Sequence, residues 1–178
     1  MRLENFLLEN EKKVLRRWLD GILESYPPQT ATMLRKETNQ FANPVGHAIL
    51  TGMEGLLGEM LRKANPENMT LYLDKIIRIR AVQDFSPSQA VAFVFSLKEI
   101  AREAAADELR ENRISWDDVL EFEARVDRLA LLAFNVYMQC REKLFEVRVG
   151  EIKNRTHRLL MRANLIAELP GHETGSEQ

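Results

Sequence analysis

Three of the chain's 6 prolines stand directly after a residue able to cap a helix: Asn43-Pro44, Asn65-Pro66 and Ser86-Pro87. An Asn or Ser side chain accepts one of the free amides of a helix's first turn, and proline in the next position has no amide to lose. Each pair therefore predicts a helix start, at Pro44, Pro66 and Pro87, and the spacing leaves room for one helix between consecutive starts. Ser86 and Gln89 add the Ser-x-x-Gln form of a capping box. A fourth start is expected at Trp116, after Ser115 and before Asp118, and no proline follows until after Leu169.

Apolar periodicity fills in the helices. Leu3, Leu7, Val14 and Trp18, with Leu8, Leu15, Leu19 and Ile22 beside them, share one helix face, so a first helix is predicted over Leu3–Leu23, ended by Tyr26, Pro27 and Pro28. A short helical piece is expected from Gln29 to Lys36. The second main helix runs from Pro44 to about Lys63, the third from Pro66 to about Gln83 on Met69, Leu73, Ile76 and Ile77, and the fourth from Pro87 to about Glu111. The first half of that fourth helix, Ala90 to Phe95, is apolar nearly all round and is expected to be buried. No segment alternates apolar and polar residues as a half-buried strand does. The expected fold is all-α: a helical bundle of about five main helices with a long C-terminal helix extending from it.

Bulk composition narrows the function. At 45% hydrophobic and 29% charged, the chain has the make-up of a globular domain, and 178 residues are enough for one core without metal or disulfide support. Residues 1–169 are expected to form a single domain, with 170–178 a flexible tail. A net charge of -2 offers no global attraction to a polyanion, so nucleic acid is not an expected partner. The charged N-terminus lacks a secretory signal and the uncharged runs Ser86–Leu97 and Leu129–Cys140 are too short to span a bilayer, so a cytoplasmic protein is expected.

Catalytic and metal patterns are missing. His47, His157 and His172 are far apart and outside any His-Glu-x-x-His arrangement, and no Gly-x-Ser-x-Gly elbow, phosphate loop or dinucleotide fingerprint is present. The pair Asp117-Asp118 sits at a helix start, where negative charge favours the helix dipole, and this explains it without acid-base chemistry. Neither catalysis nor a bound cofactor or metal is expected. His47 is the one candidate for cofactor binding, as a haem ligand, and it lacks a supporting partner. Cys140 is expected to be an inert thiol on an apolar helix face. The second helix carries Gly46, Gly52, Gly55 and Gly58, each interior glycine costing about 1 kcal/mol relative to alanine. Ala48, Gly52 and Gly55 line one side, where either a neighbouring helix or a flat ligand could come close.

The last helix changes character along its length. Val119, Val126, Ala130, Ala133, Tyr137, Cys140, Leu144 and Val147 keep a 3.5-residue spacing, broken by Glu123. Leu129 to Met138 is apolar almost all round, which marks this half as the central helix of the bundle. From Phe145 the spacing resumes through Val149, Ile152, Thr156, Leu159, Ala163 and Ile166, displaced by two residues, which turns the apolar face by about 160°. Arg148, Lys153, Arg155, Arg158 and Arg162, following Arg141 and Lys143 and set against Glu142, Glu146 and Glu151, make residues 145–169 a basic amphipathic end. A helix that changes face changes neighbours. Phe145, Val149, Ile152, Leu159 and Ile166, with Arg148 and Arg155, are the expected partner-binding residues, facing a helix of a protein partner ahead of solvent or a membrane surface.

The run Ile79-Arg80-Ala81-Val82-Gln83-Asp84-Phe85-Ser86-Pro87-Ser88-Gln89-Ala90-Val91, with Phe41-Ala42-Asn43-Pro44-Val45-Gly46, resembles the RsbRD-type N-terminal domain, over most of the chain to about Val149. The resemblance implies a helical input module of the kind placed ahead of a STAS domain in stress-signalling proteins, where the STAS domain antagonises a switch kinase; stand-alone copies also occur. No STAS segment stands in this sequence, so the resemblance implies regulation without a phosphorylated scaffold. The resulting expectation is a non-catalytic signalling module that binds partner proteins, most simply as a homodimer. The alternatives are a small-ligand or haem-binding sensor, or an accessory subunit docking on an enzyme or redox complex.

Overall fold

The computed structural model describes residues 1–36, 41–62 and 65–163. Among them are eight helices and no strand: α1 (Leu3–Glu9), α2 (Glu11–Leu23), α3 (Pro28–Lys36), α4 (Pro44–Leu61), α5 (Pro66–Val82), α6 (Pro87–Ala104), α7 (Ala106–Arg110) and α8 (Trp116–Arg162). The capping chemistry acts as the sequence requires. Asn43 accepts from the Gly46 amide and Asn65 from that of Glu67. Ser86 and Gln89 form a reciprocal capping box, and Ser115 Oγ accepts from the Asp118 amide at 3.1 Å.

Two expected helices are each divided. The first breaks at Asn10, whose side-chain amide donates to the Phe6 carbonyl at 2.9 Å and so competes with the helix's own hydrogen bonds. Leu3 and Leu7 before the break, and Val14, Trp18 and Ile22 after it, are still buried together. The fourth breaks at Ala105, in an alanine-rich run of high helix propensity. Only packing accounts for that turn: Ala105 is fully buried, and Leu109 and Ile114 beyond it join the same core.

The chain divides into two compact units, residues 1–141 and 142–178. The first is a helical bundle with a single core. Its closest pair is α4 and α5, while α2 packs on both α4 and α6. Trp18 on α2 stacks on Phe93 of α6 and donates its indole N–H to the Phe93 carbonyl at 2.6 Å. Val119, Phe122, Val126, Ala130, Ala133 and Tyr137 carry α8 through this core, and Tyr137 donates to the Phe85 carbonyl. Glu123, the exception in that apolar series, pairs with Arg102 at 3.3 Å. The second unit is, among its described residues, the remainder of α8 to Arg162. The boundary between the units falls within α8, and the expected tail 170–178 lies outside the described residues.

Candidate functional site

The glycines of α4 have a definite use. A methyl group added at Gly52 would stand 2.8 Å from Ile76 Cγ1 and 3.0 Å from the Tyr72 carbonyl oxygen, and one at Gly55 would meet the Tyr72 ring. Glycine therefore lets α4 and α5 approach at backbone distance, and the space that a flat ligand would need beside Gly52 and Gly55 is filled by Tyr72 and Ile76. Gly46 serves the cap instead, since a Cβ there would collide with the Asn43 side chain.

His47 is half-buried and lines a cavity of about 280 Å³ with Arg16, Asp20, Arg35, Leu19 and Leu23. That volume falls just below the roughly 300–1,000 Å³ of pockets that hold drug-sized ligands. Cys140 is half-buried against the core, and burial first, then the Asp74 carboxylate, raises its thiol pKa above the usual value. No group of three or more His, Cys, Asp or Glu side chains among the described residues is placed to hold a metal ion.

The signature run builds the junction of α5 and α6. Helix α5 ends in a Schellman turn, with Asp84 in the left-handed region at φ 59° and the Phe85 amide donating to the Arg80 carbonyl. Arg141 of α8 secures the turn by donating to the Ala81 carbonyl at 3.1 Å and to the Asp84 carboxylate at 3.2 Å. Arg80, in the same run, is 1% exposed. Its Nη1 donates to Ser25 Oγ at 3.0 Å and its Nη2 to the Gln89 carbonyl at 2.8 Å.

The two segments that are apolar all round are not wholly buried. Val91, Phe93 and Val94 face the core, but Phe95 is half exposed; on α8, Leu129, Ala133 and Val136 are buried while Leu131 is 68% exposed and Phe134 and Met138 nearly half exposed. Together Val91, Ala92, Phe95, Ala130, Leu131 and Phe134 line an open cleft of about 670 Å³ between α6 and α8. This surface corrects the expectation that both segments are interior. Periodicity distinguishes a core face from a polar face; where no polar face exists, it leaves the outward side undetermined. The signal was the surplus of apolar residues itself, more than one neighbour could cover.

In the second unit, Phe145, Ile152 and Leu159 are exposed, Phe145 by 67%, as are Arg148 and Arg155, while Val149 is half-buried. Ile166, the last expected member of that stripe, lies outside the described residues. No helix among the described residues is long and apolar enough to cross a membrane.

Comparison with known proteins agrees with the signature run. A protein of Archaeoglobus fulgidus described as uncharacterized is 27% identical over 143 residues, which is 80% of this chain and 84% of its own. No solved structure matches. The family model described as "RsbT co-antagonist protein rsbRD N-terminal domain" matches residues 12–151. With most of its length covered by that match, the chain belongs to the RsbT co-antagonist protein rsbRD N-terminal domain family.

Proposed function

We propose that the protein is a non-catalytic signalling module that acts by helix-to-helix contact with a protein partner, in its simplest form a second copy of itself. The family supplies the regulatory character. The observation that carries the contact is the apolar surface left uncovered: the α6/α8 cleft with Phe95, Leu131 and Phe134, and the exposed Phe145, Ile152 and Leu159 of the second unit. Large exposed apolar patches mark interaction sites.

The two surfaces have different rims. Around the cleft, Asp127 is paired with Lys98 at 2.6 Å, so its charge is already matched within the chain. The second unit carries Arg148, Lys153, Arg155, Arg158 and Arg162 beside its apolar stripe, which favours an opposing surface with carboxylates. Sedimentation of the full chain and of a Leu131→Glu, Phe134→Glu variant tests the reading. Self-association of the first and its loss in the second, with helicity retained, is the expected result; two identical monomers remove the second copy as partner.

A further inference from the structure

In the second unit, the apolar side chains Phe145, Ile152 and Leu159 recur every seven residues, and so do Arg148, Arg155 and Arg162. On a helix of 3.6 residues per turn, each arginine stands about 60° round from the apolar residue three places before it. This part of α8 therefore carries two parallel files, one apolar and one of guanidinium groups, and both are exposed. The arginines are unmatched. Among the described residues of this unit, the ion pair is that of Lys143 with Glu146 at 3.4 Å, which leaves the arginine file without a carboxylate. Attraction to the helix dipole does not account for the file, because Arg148 stands about four turns before Arg162 and the dipole acts within the last turn.

A second copy of the chain leaves these arginines unmatched in either orientation. When two helices pair along a seven-residue seam, the positions flanking the seam face one another across it. With the copies antiparallel, the arginine file faces itself. With the copies parallel, each flanking residue faces the one five places further along the other chain, so Arg148 meets Lys153 and Arg155 meets Leu160. Burial of the apolar file thus draws two copies together while the flanks oppose it. A helix with carboxylates on its flank has both contributions in its favour.

We propose that the second unit docks a helix of a different protein, apolar along its seam and carrying Glu or Asp at seven-residue intervals on the flank that faces Arg148, Arg155 and Arg162, and that this helix displaces a second copy from the stripe. The proposal rests on the reading of the protein as a module that acts by helix-to-helix contact, and it gives the partner's chemistry for one of the two surfaces. Self-association through the α6/α8 cleft is separate from it.

Fluorescence anisotropy with designed, labelled helical peptides tests the proposal on the full chain. One peptide has leucine along its seam and glutamate on both flanks; its counterpart has lysine in place of every glutamate. The glutamate peptide is expected to bind about tenfold more tightly, as several exposed charge pairs together provide, and to lose that advantage at high salt. Arg148→Glu combined with Arg155→Glu should reverse the preference with helicity retained, since both side chains are exposed. Ile152→Ser combined with Leu159→Ser should abolish binding of the glutamate peptide; binding that survives is charge attraction without docking and overturns the proposal. Equal affinities for the two peptides, a preference that the charge reversal leaves unchanged, or binding to phosphatidylserine vesicles in place of the glutamate peptide would overturn it as well. Sedimentation of the same samples keeps the two readings apart. A monomeric chain that binds the glutamate peptide refutes self-association alone, and a self-associating chain that does not bind it refutes the acidic partner alone.

Discussion

Asn43 shows how much one side chain carries. It is almost fully buried, its Oδ1 accepts from the Gly46 amide at 2.9 Å, and its Nδ2 donates to the Leu34 carbonyl at 3.2 Å, so it both starts α4 and holds α3 to it. Asn43→Ala removes both the cap and the bond to the Leu34 carbonyl, and should cost about 2–3 kcal/mol. Ser86→Ala, at an exposed capping box, should cost only about 1 kcal/mol. Equal losses in denaturant titration would contradict the double role of Asn43. At Cys140 the raised pKa has a direct consequence: at pH 7 less of the thiol is ionised than in an unburied cysteine, so alkylation by iodoacetamide should be slower than that of a peptide thiol and accelerate only at higher pH. A rate equal to the peptide's would mean the thiol is not shielded.

Helices differ in what their glycines are for. Nothing lies within 4 Å of a methyl group placed at Gly150, so Gly150→Ala should raise helicity and stabilise the α8 helix by about 1 kcal/mol. Gly52→Ala has the same local propensity gain, but its methyl meets the Tyr72 carbonyl and Ile76, and the repacking should make the change destabilising by about 1–3 kcal/mol. Gly55→Ala should fall between them, because a tyrosine ring can turn aside more readily than a backbone. Circular dichroism melts of the three variants give the order directly; an equal or favourable effect at Gly52 would show that α4 and α5 are not packed at backbone distance. The same contrast explains what periodicity could tell. Starts at Pro44, Pro66, Pro87 and Trp116 were legible because a cap is local chemistry, whereas the breaks at Asn10 and Ala105 were not, since neither carries proline or glycine.

At the scale of the molecule, the expected homodimer rests on apolar surface that stays exposed among the described residues. Each of Phe145, Ile152 and Leu159 offers roughly 1.5–3 kcal/mol on full burial, so the three together compete with the cost of associating two chains. Removing the residues beyond Gly150 should therefore weaken self-association while the unit of residues 1–141 keeps its cooperative melt. If full and shortened chains sediment alike as monomers and melt alike, the stripe is a solvated helix end.

The sequence by itself determined the helical class, the four capped starts, the core face of α8 and the family, because caps, apolar spacing and a signature run are properties of neighbouring residues. Tertiary structure decided where the surplus went. An all-apolar segment buries only as many faces as it has neighbours, so whether Phe95, Leu131 and Phe134 end up inside or outside depends on which helices lie beside α6 and α8, a matter settled far along the chain. Arg80 is the same lesson for charge: within its run it reads as one more surface cation, and only the convergence of Ser25, Tyr26, Phe85 and Gln89 around it makes it a buried one.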